Sequence, residues 1–252
     1  PVARLPANGF VGRDREPITL AEARGAVRGG HAVLTYVHGS SGIGKTALVG
    51  RFLDRLRARE PEAAVLTGRC YERESISYKA LDNIVDELSQ YLRRLGTDVE
   101  ELVPRDAAAL ARLFPILRRV EPIALSRDRS TEIADFQELR RRGFAAFREL
   151  LSRLAASRLV VLFIDDLHWG DVDSAALLTD LLRPPGAPPI LLIASYRTEE
   201  AATSAALKVL LPRGRPVAEA GQDVREIGLG ELTVEQARDL TTRLLGEPGQ
   251  SR

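Results

Sequence analysis

The 252-residue chain has no methionine and a single cysteine, Cys70. One thiol cannot form an internal bridge, so nothing calls for an oxidising compartment, and the cytoplasm is the expected location. The absence of methionine, together with Pro1 in first place, leads us to expect a piece excised from a longer protein. Long hydrophobic runs are missing as well. Stretches such as Leu159 to Ile164 are far too short to span a bilayer, and no signal peptide is visible, so no membrane partner is expected. An excess of either charge is also lacking: 36 Lys and Arg face 35 Asp and Glu, a net charge of +1. That balance offers no basic stripe for coating a duplex, and direct nucleic-acid binding is not expected. What is present is ordinary for a soluble globular protein, with 44% hydrophobic and 28% charged residues. A chain of this length buries a full core without disulfides or structural metal, as one large domain or as one domain plus part of another.

Short apolar runs alternate with helical patterns. Val33 to Val37 reads as a buried strand that ends at a glycine loop. From Lys45, the residues Ala47, Leu48, Phe52, Leu53 and Leu56 recur at helical spacing until Pro61. Ala64 to Thr67 is a second strand. Tyr78 to Leu95 is an amphipathic helix, with Leu81, Ile84, Val85, Leu88 and Leu92 on one face and Gly96 suited to its end. Asp106 to Val120 is expected to be helical with a kink or break at Pro115, and Asp135 to Ala156 is a long, Arg-rich helix. Strands at Leu159–Ile164, Ile190–Ser195 and Arg225–Leu229 follow, with helices at Ser174–Leu182 and Ala201–Leu211 between them. Thr233 with Gln236 marks a capping box for a final helix. This alternation predicts an α/β fold with a mainly parallel sheet and helices on both faces. Residues 78–157 hold no strand candidate and read as a helical elaboration. Residues 1–231 are expected to form the sheet domain, and 232–252 the truncated start of a helical lid.

The run Gly39-Ser40-Ser41-Gly42-Ile43-Gly44-Lys45-Thr46 matches the Walker A spacing in full, with a strand before it and a helix after it. Its glycines let the backbone curl so that successive N–H groups converge on an anion, and the helix N-terminus adds its positive end. Lys45 is placed to bridge the β- and γ-phosphates, and Thr46 to give its hydroxyl to Mg²⁺. The cofactors expected are therefore ATP or ADP and Mg²⁺, with Gly39 to Thr46 and Ala47 as cofactor-binding residues. No Asn-Lys-x-Asp guanine-reading motif occurs. Its absence argues against the GTPase branch without proving adenine selectivity.

The strand Leu159 to Ile164 delivers Asp165 and Asp166 to the sheet edge, the Walker B arrangement. A plain helix-capping turn would also place two acids there. Beside a full Walker A, Asp165 is the expected Mg²⁺ ligand. Asp166 stands where a carboxylate would orient or deprotonate the attacking water. Many related ATPases carry Glu here. The shorter Asp leaves two roles open, a working general base or an acid that mostly senses the γ-phosphate. His168 is read as a packing and hydrogen-bonding residue, with contact to the γ-phosphate or to a partner as the alternative. Trp169 reads as an anchor against the sheet rather than an adenine platform. No metal-ligand spacing links His31, His38 and His168.

Taken in order, Phe10-Val11-Gly12-Arg13-Asp14-Arg15-Glu16, the phosphate loop, Asp165-Asp166-Leu167-His168-Trp169 and Ile193-Ala194-Ser195-Tyr196-Arg197 resemble the AAA-type ATPase domain of the STAND class. These are signal-transduction ATPases with numerous domains. They include large LuxR-type transcription regulators, and similar domains follow bacterial kinase or adenylate cyclase modules. The resemblance runs from about Phe10 to Leu240. It implies a five-stranded P-loop sheet in the order 5-1-4-3-2, with Val11, Gly12 and Arg13 against the adenine side. It also implies that Arg197 is a sensor arginine touching the γ-phosphate. Position agrees, because Arg197 follows a buried strand at the edge where open α/β sheets bind ligands, although a surface arginine would also fit a strand end. Arg213 and Arg215 lie where an arginine finger is plausible, but none is identifiable. The winged-helix portion, sensor repeats and output domain of the class are not seen.

The expected function is an ATP-binding, slowly hydrolysing switch within a multidomain signalling or regulatory protein, with Lys45, Asp166 and Arg197 as its catalytic residues. A nucleotide-gated scaffold with little turnover is the alternative, acting through self-association or the other domains of its parent protein. A DNA-loading AAA-type ATPase ranks last.

Overall fold

In a computed structural model of the chain, the residues described are 13, 15–72, 77–126, 135–214, 216 and 221–245. Five parallel strands form one sheet: β1 (Val33–Gly39), β2 (Ala64–Arg69), β3 (Val160–Asp165), β4 (Ile190–Arg197) and β5 (Asp223–Gly228). Their order is β2-β3-β4-β1-β5, the expected 5-1-4-3-2 read from the other edge. β3 is buried at every position and β4 at all but its last. That burial explains why both read as unbroken apolar runs: helices cover the two faces of the sheet centre. β5, at the edge, buries only Ile227 and carries Asp223, Arg225 and Glu226.

Alternate strand residues feed two cores, as the two-residue period of a strand requires. Val33, Val37, Val161, Phe163, Leu191 and Ile193 face α1 (Arg15–Arg28) and α2 (Lys45–Arg59), where they meet Leu20, Ala23, Val27, Leu48, Val49 and Leu53. Tyr36, Leu162, Ile164, Leu192 and Ala194 face the opposite way, into a larger core. That core is built by α3 (Lys79–Arg94), α4 (Ala107–Leu113), α5 (Glu121–Ala124), α6 (Phe136–Ser157), α7 (Val172–Leu181) and α8 (Ala205–Leu210). Leu81, Ile84, Val85, Leu88 and Leu92 of α3 are all fully buried, each worth about 1.5–3 kcal/mol of transfer free energy. In α6, Gly143 lets α4 approach, since a Cβ there would lie 2.9 Å from Leu113 Cγ.

Among the described residues, 78–157 hold no strand, as the pattern predicted. One helix goes beyond the expectations, one expected break is present, and one expected helix is shorter. α1 was not foreseen, because a polar sequence that buries only Leu20, Ala23 and Val27 gives little periodicity. The break expected at Pro115 within Asp106–Val120 is present: α4 ends at Leu113, and Pro115–Arg119 is a 3-10 turn, because proline lacks the N–H and clashes with the preceding turn. The Ala201–Leu211 helix is reduced to α8, which begins where Ser204 Oγ accepts the N–H of Leu207 at 3.2 Å. The capping box holds at α9 (Val234–Leu245). There the Thr233 N–H donates to Gln236 Oε1 at 2.9 Å, and the Gln236 N–H to Thr233 Oγ1 at 3.2 Å.

β1 to β4 all run further at their carboxyl ends than predicted, β2 to Arg69 and β3 to Asp165. β1 reaches Gly39 and β4 reaches Arg197, and these two residues are register partners. Both extensions carry the chain to the carboxyl edge of the sheet, where the site lies. A third link ties the helical block to that edge. Asp171 Oδ2 accepts the Lys79 N–H at 2.9 Å, and Ser174 Oγ accepts the Ala80 N–H at 3.1 Å, fastening the start of α3 to the start of α7. Among the described residues no helix is long and apolar enough to cross a membrane.

Candidate functional site

The phosphate loop leaves β1 at Gly39 and enters α2 at Lys45. Gly39 has φ +150°, and a Cβ there would stand 2.6 Å from the carbonyl oxygen of Leu229, so only glycine lets the loop pass the end of β5. Gly44 precedes the helix with φ +100°, which aims the first free amides of α2 back into the loop. Lys45 is 6% exposed. Its Nζ donates to the carbonyls of Gly39 at 2.9 Å and Ser40 at 2.8 Å, so the ammonium lies folded on its own loop. Burial lowers the Lys45 pKa, opposed by the charges of Asp166, Glu199 and Asp165.

Thr46, one residue into α2, reaches across to β3. Its hydroxyl lies 3.1 and 3.0 Å from the two carboxylate oxygens of Asp165. From β4, the hydroxyl of Ser195 donates to Asp165 Oδ1 at 2.5 Å and accepts the backbone N–H of Asp166 at 3.1 Å. Two strands and a helix thus hold a threonine hydroxyl and a carboxylate together. These hard oxygen donors suit Mg²⁺, which keeps several waters and takes substrate phosphates as further ligands. Among the described residues, no cluster of three or more His, Cys, Asp or Glu is placed to hold a metal.

Asp166 follows directly and has left-handed backbone geometry, φ 56°. Its Oδ2 accepts from Arg69 Nε at 3.1 Å and Nη2 at 2.7 Å. Arg69 ends β2, the strand paired with β3, and stands in register with Asp165. Burial lowers the guanidinium's pKa, but the hydrogen bond and charge of Asp166 outweigh it and the pKa rises. His168, in the 3-10 turn Leu167–Trp169, is buried. Neither ring nitrogen has a hydrogen-bond partner among the described residues, and Nδ1 lies 4.0 Å from Asp166 Oδ1. Burial pushes its pKa down. Asp166 opposes that shift, and Arg197 and Lys45 add to it. The ring rests on Trp169, with centroids 5.0 Å apart.

Arg197 stands at the end of β4 beside Gly39, so the structure brings together Lys45, Thr46, Asp165, Asp166 and Arg197. On the other side of the loop, Arg13 Nη2 donates to the carbonyl of Gly230 at 2.6 Å and of Ile43 at 3.4 Å, joining the loop to the segment after β5. Val11, Gly12 and Arg215 lie outside the described residues, as does the Arg213 side chain.

Three contributors were not singled out as site residues in the sequence. Ser195 sits inside a motif read only for its arginine, and its signal was a small hydroxyl in an otherwise apolar strand. Arg69 carried a weaker one, a basic residue at a strand's carboxyl end. Glu199, in the turn Thr198–Glu200 after β4, accepts the Ser41 N–H at 2.9 Å. That contact shows a loop amide engaging a carboxylate, the behaviour expected of a phosphate cradle.

The family model for the AAA ATPase domain matches residues 9–193. No curated protein matches the chain. Among solved structures, similarity extends to a Walker-type ATPase of Pyrococcus abyssi, at 14% identity and a TM-score of 0.45 over 93% of this chain and 57% of that one. It extends also to Drosophila ORC bound to poly(dA/dT) DNA and Cdc6, at 15% identity and a TM-score of 0.44, covering 92% of this chain and 30% of that one. The Aeropyrum pernix ORC1 protein in complex with DNA shares 17% identity at a TM-score of 0.38, covering 94% of this chain and 50% of that one. The chain therefore spans less than two thirds of the length of each of these relatives.

Proposed function

The chain belongs to the AAA ATPase domain family, and from that premise we propose that it binds ATP or ADP with Mg²⁺, hydrolyses ATP slowly, and serves as a nucleotide-state switch. The observation that carries this reading is the convergence of Lys45, Thr46, Asp165 and Arg197 from α2, β3 and β4 on one sheet edge. In this reading the loop amides and Lys45 hold the β- and γ-phosphates, and Thr46 and Asp165 hold Mg²⁺. Once bound, Mg²⁺ supplies neutralisation of phosphate charge. Ser195 is a positioning residue, since its hydroxyl fixes the Asp165 carboxylate. Arg197 contacts the γ-phosphate, and Arg13 lies toward the base.

Slow turnover is supported by Asp166. A general base needs its carboxylate free to meet water, and here Arg69 engages it with two hydrogen bonds. The same pair favours a second reading, a scaffold that holds nucleotide with little hydrolysis. The motif order supports placing the domain in the STAND class, within a signalling or transcription-regulatory protein and in the cytoplasm. Under that placement α9 opens a lid, from about residue 232, that adds contacts to nucleotide. Self-association and contacts with other domains of the parent protein then read out the bound state.

Calorimetric titration with ATP and ADP in Mg²⁺, together with phosphate release, tests the reading. Binding of both nucleotides with slow release of phosphate is expected, and folded protein that binds neither would overturn it. Asp166→Ala separates the two readings: lost turnover marks a catalytic base, and unchanged turnover marks the scaffold.

A further inference from the structure

Glu199 has no part in the reading above, yet it lies among the groups assigned to the γ-phosphate. Its carboxylate accepts the N–H of Ser41, the third residue of the phosphate loop. Arg197 precedes it by two residues at the end of β4, where it pairs in register with Gly39. The hydrogen bonds from its own backbone and from Ser41, together with the charges of Lys45 and Arg197, hold its pKa below the usual carboxylate range. Glu199 is therefore an anion at work pH, seated on an anion-binding loop. A chain that puts a carboxylate there makes a competitor for any incoming phosphate.

The competition is unequal between nucleotides. In the nucleotide-binding reading, a diphosphate brings no γ-phosphate to the position between Lys45 and Arg197, so the Glu199–Ser41 contact can persist beside it. A triphosphate brings further negative charge to that position. The carboxylate must then release the Ser41 amide and withdraw, losing a charge-assisted hydrogen bond and avoiding like-charge repulsion. We propose that Glu199 is a specificity-determining residue of the site, which disfavours ATP relative to ADP by occupying the γ-phosphate side of the loop. This inference rests on the nucleotide-binding reading. It gives the switch a resting bias toward the diphosphate state that comes from within the fold, without a lid or partner.

The test is the ratio of ATP to ADP affinity, measured by calorimetry in Mg²⁺ on the whole chain. Glu199→Gln keeps the size and a hydrogen-bond acceptor but removes the charge; Glu199→Ala removes both. Each should tighten ATP binding about tenfold, a change of about 1.4 kcal/mol, while ADP affinity moves much less. Glu199→Asp, which keeps the charge but is one methylene shorter, should lie between. Glu62→Gln removes an equal charge from an exposed turn before β2, at the opposite edge of the sheet, and should leave the ratio unchanged. An unchanged ratio in Glu199→Gln and Glu199→Ala, with both nucleotides still binding, would overturn the inference alone. A wild type and variants that bind neither nucleotide would overturn the site reading and this inference with it.

Discussion

The two sides of the sheet's carboxyl edge are held by different forces. Behind it, the α3–α6 block is an apolar lock: Phe147, Leu150, Leu151 and Leu154 of α6 are fully buried, as are Leu88 and Leu92 of α3. In front of it, the phosphate loop is fixed by polar contacts that cross from one element to another, Lys45 to the Gly39 and Ser40 carbonyls, Thr46 and Ser195 to Asp165, and Arg69 to Asp166. The difference teaches that stability and function are separable here. Apolar burial is strong but indifferent to ligand. Hydrogen-bonded charge is worth little net to the fold, and it can exchange partners when a phosphate arrives.

The largest effect should come from breaking the apolar side. Phe147 is fully buried, its ring centroid 6.0 Å from that of Phe114. Phe147→Ala should destabilise the fold by about 3–5 kcal/mol, seen as a lower denaturant midpoint. Nucleotide affinity of the folded fraction should stay as in the wild type. A parallel loss of affinity would show that the two regions are coupled after all.

Breaking the polar side should do the converse. Lys45→Ala removes the ammonium that the loop carbonyls hold, and ATP affinity should fall by about a hundredfold, or about 2.7 kcal/mol. The denaturant midpoint should hardly move, because the lost lysine contacts are two carbonyl hydrogen bonds rather than core packing. A large fall in stability would mean that Lys45 is structural first.

Arg69→Ala sharpens the comparison further, since it acts on chemistry and leaves the binding groups alone. Freed of its two hydrogen bonds, Asp166 should become available to water, and phosphate release should rise several-fold, about 1 kcal/mol in barrier. Unchanged or slower release would show that Arg69 positions the acid rather than restraining it. Since Arg69 is about half exposed, its pair with Asp166 adds little to stability, and the midpoint should stay near the wild-type value.

The sequence exposed the apolar side and the phosphate loop more readily than the contacts that join them. α3 and β3 announce themselves by period and by unbroken hydrophobicity, because each element's own pattern reports how it is buried. The loop is legible because glycine, lysine and threonine must occur at fixed offsets. Arg69 and Ser195 act across strands that are far apart in the chain, so their partners became visible only with the strand order. Glu199 is harder still, an exposed acid in a polar turn whose meaning lies in the amide it meets. α1 was missed for the opposite reason: it is covered on one narrow face, and three buried residues leave little trace among charged ones.

The smallest expected effect lies where the two regions meet. His168 packs in a buried position behind Asp166, and both of its ring nitrogens lack a hydrogen-bond partner among the described residues. Burial lowers its pKa, Asp166 raises it, and Arg197 and Lys45 lower it again, with Glu200 as a further opposing charge. Its folded-state pKa is therefore below that of the unfolded chain, whose imidazole titrates near about 6.5. Between those two values the unfolded state binds the extra proton, so stability rises with pH. The contribution of neutral, buried His168 is complete above the unfolded pKa and is lost as pH falls through that value toward the folded one. His168→Phe keeps an apolar ring against Trp169 and removes the titration. Denaturation curves from pH 7 down to pH 5 should therefore show a steeper loss in the wild type than in the variant. Parallel losses would place the acid sensitivity among the exposed carboxylates, and His168 would then belong to the apolar lock alone.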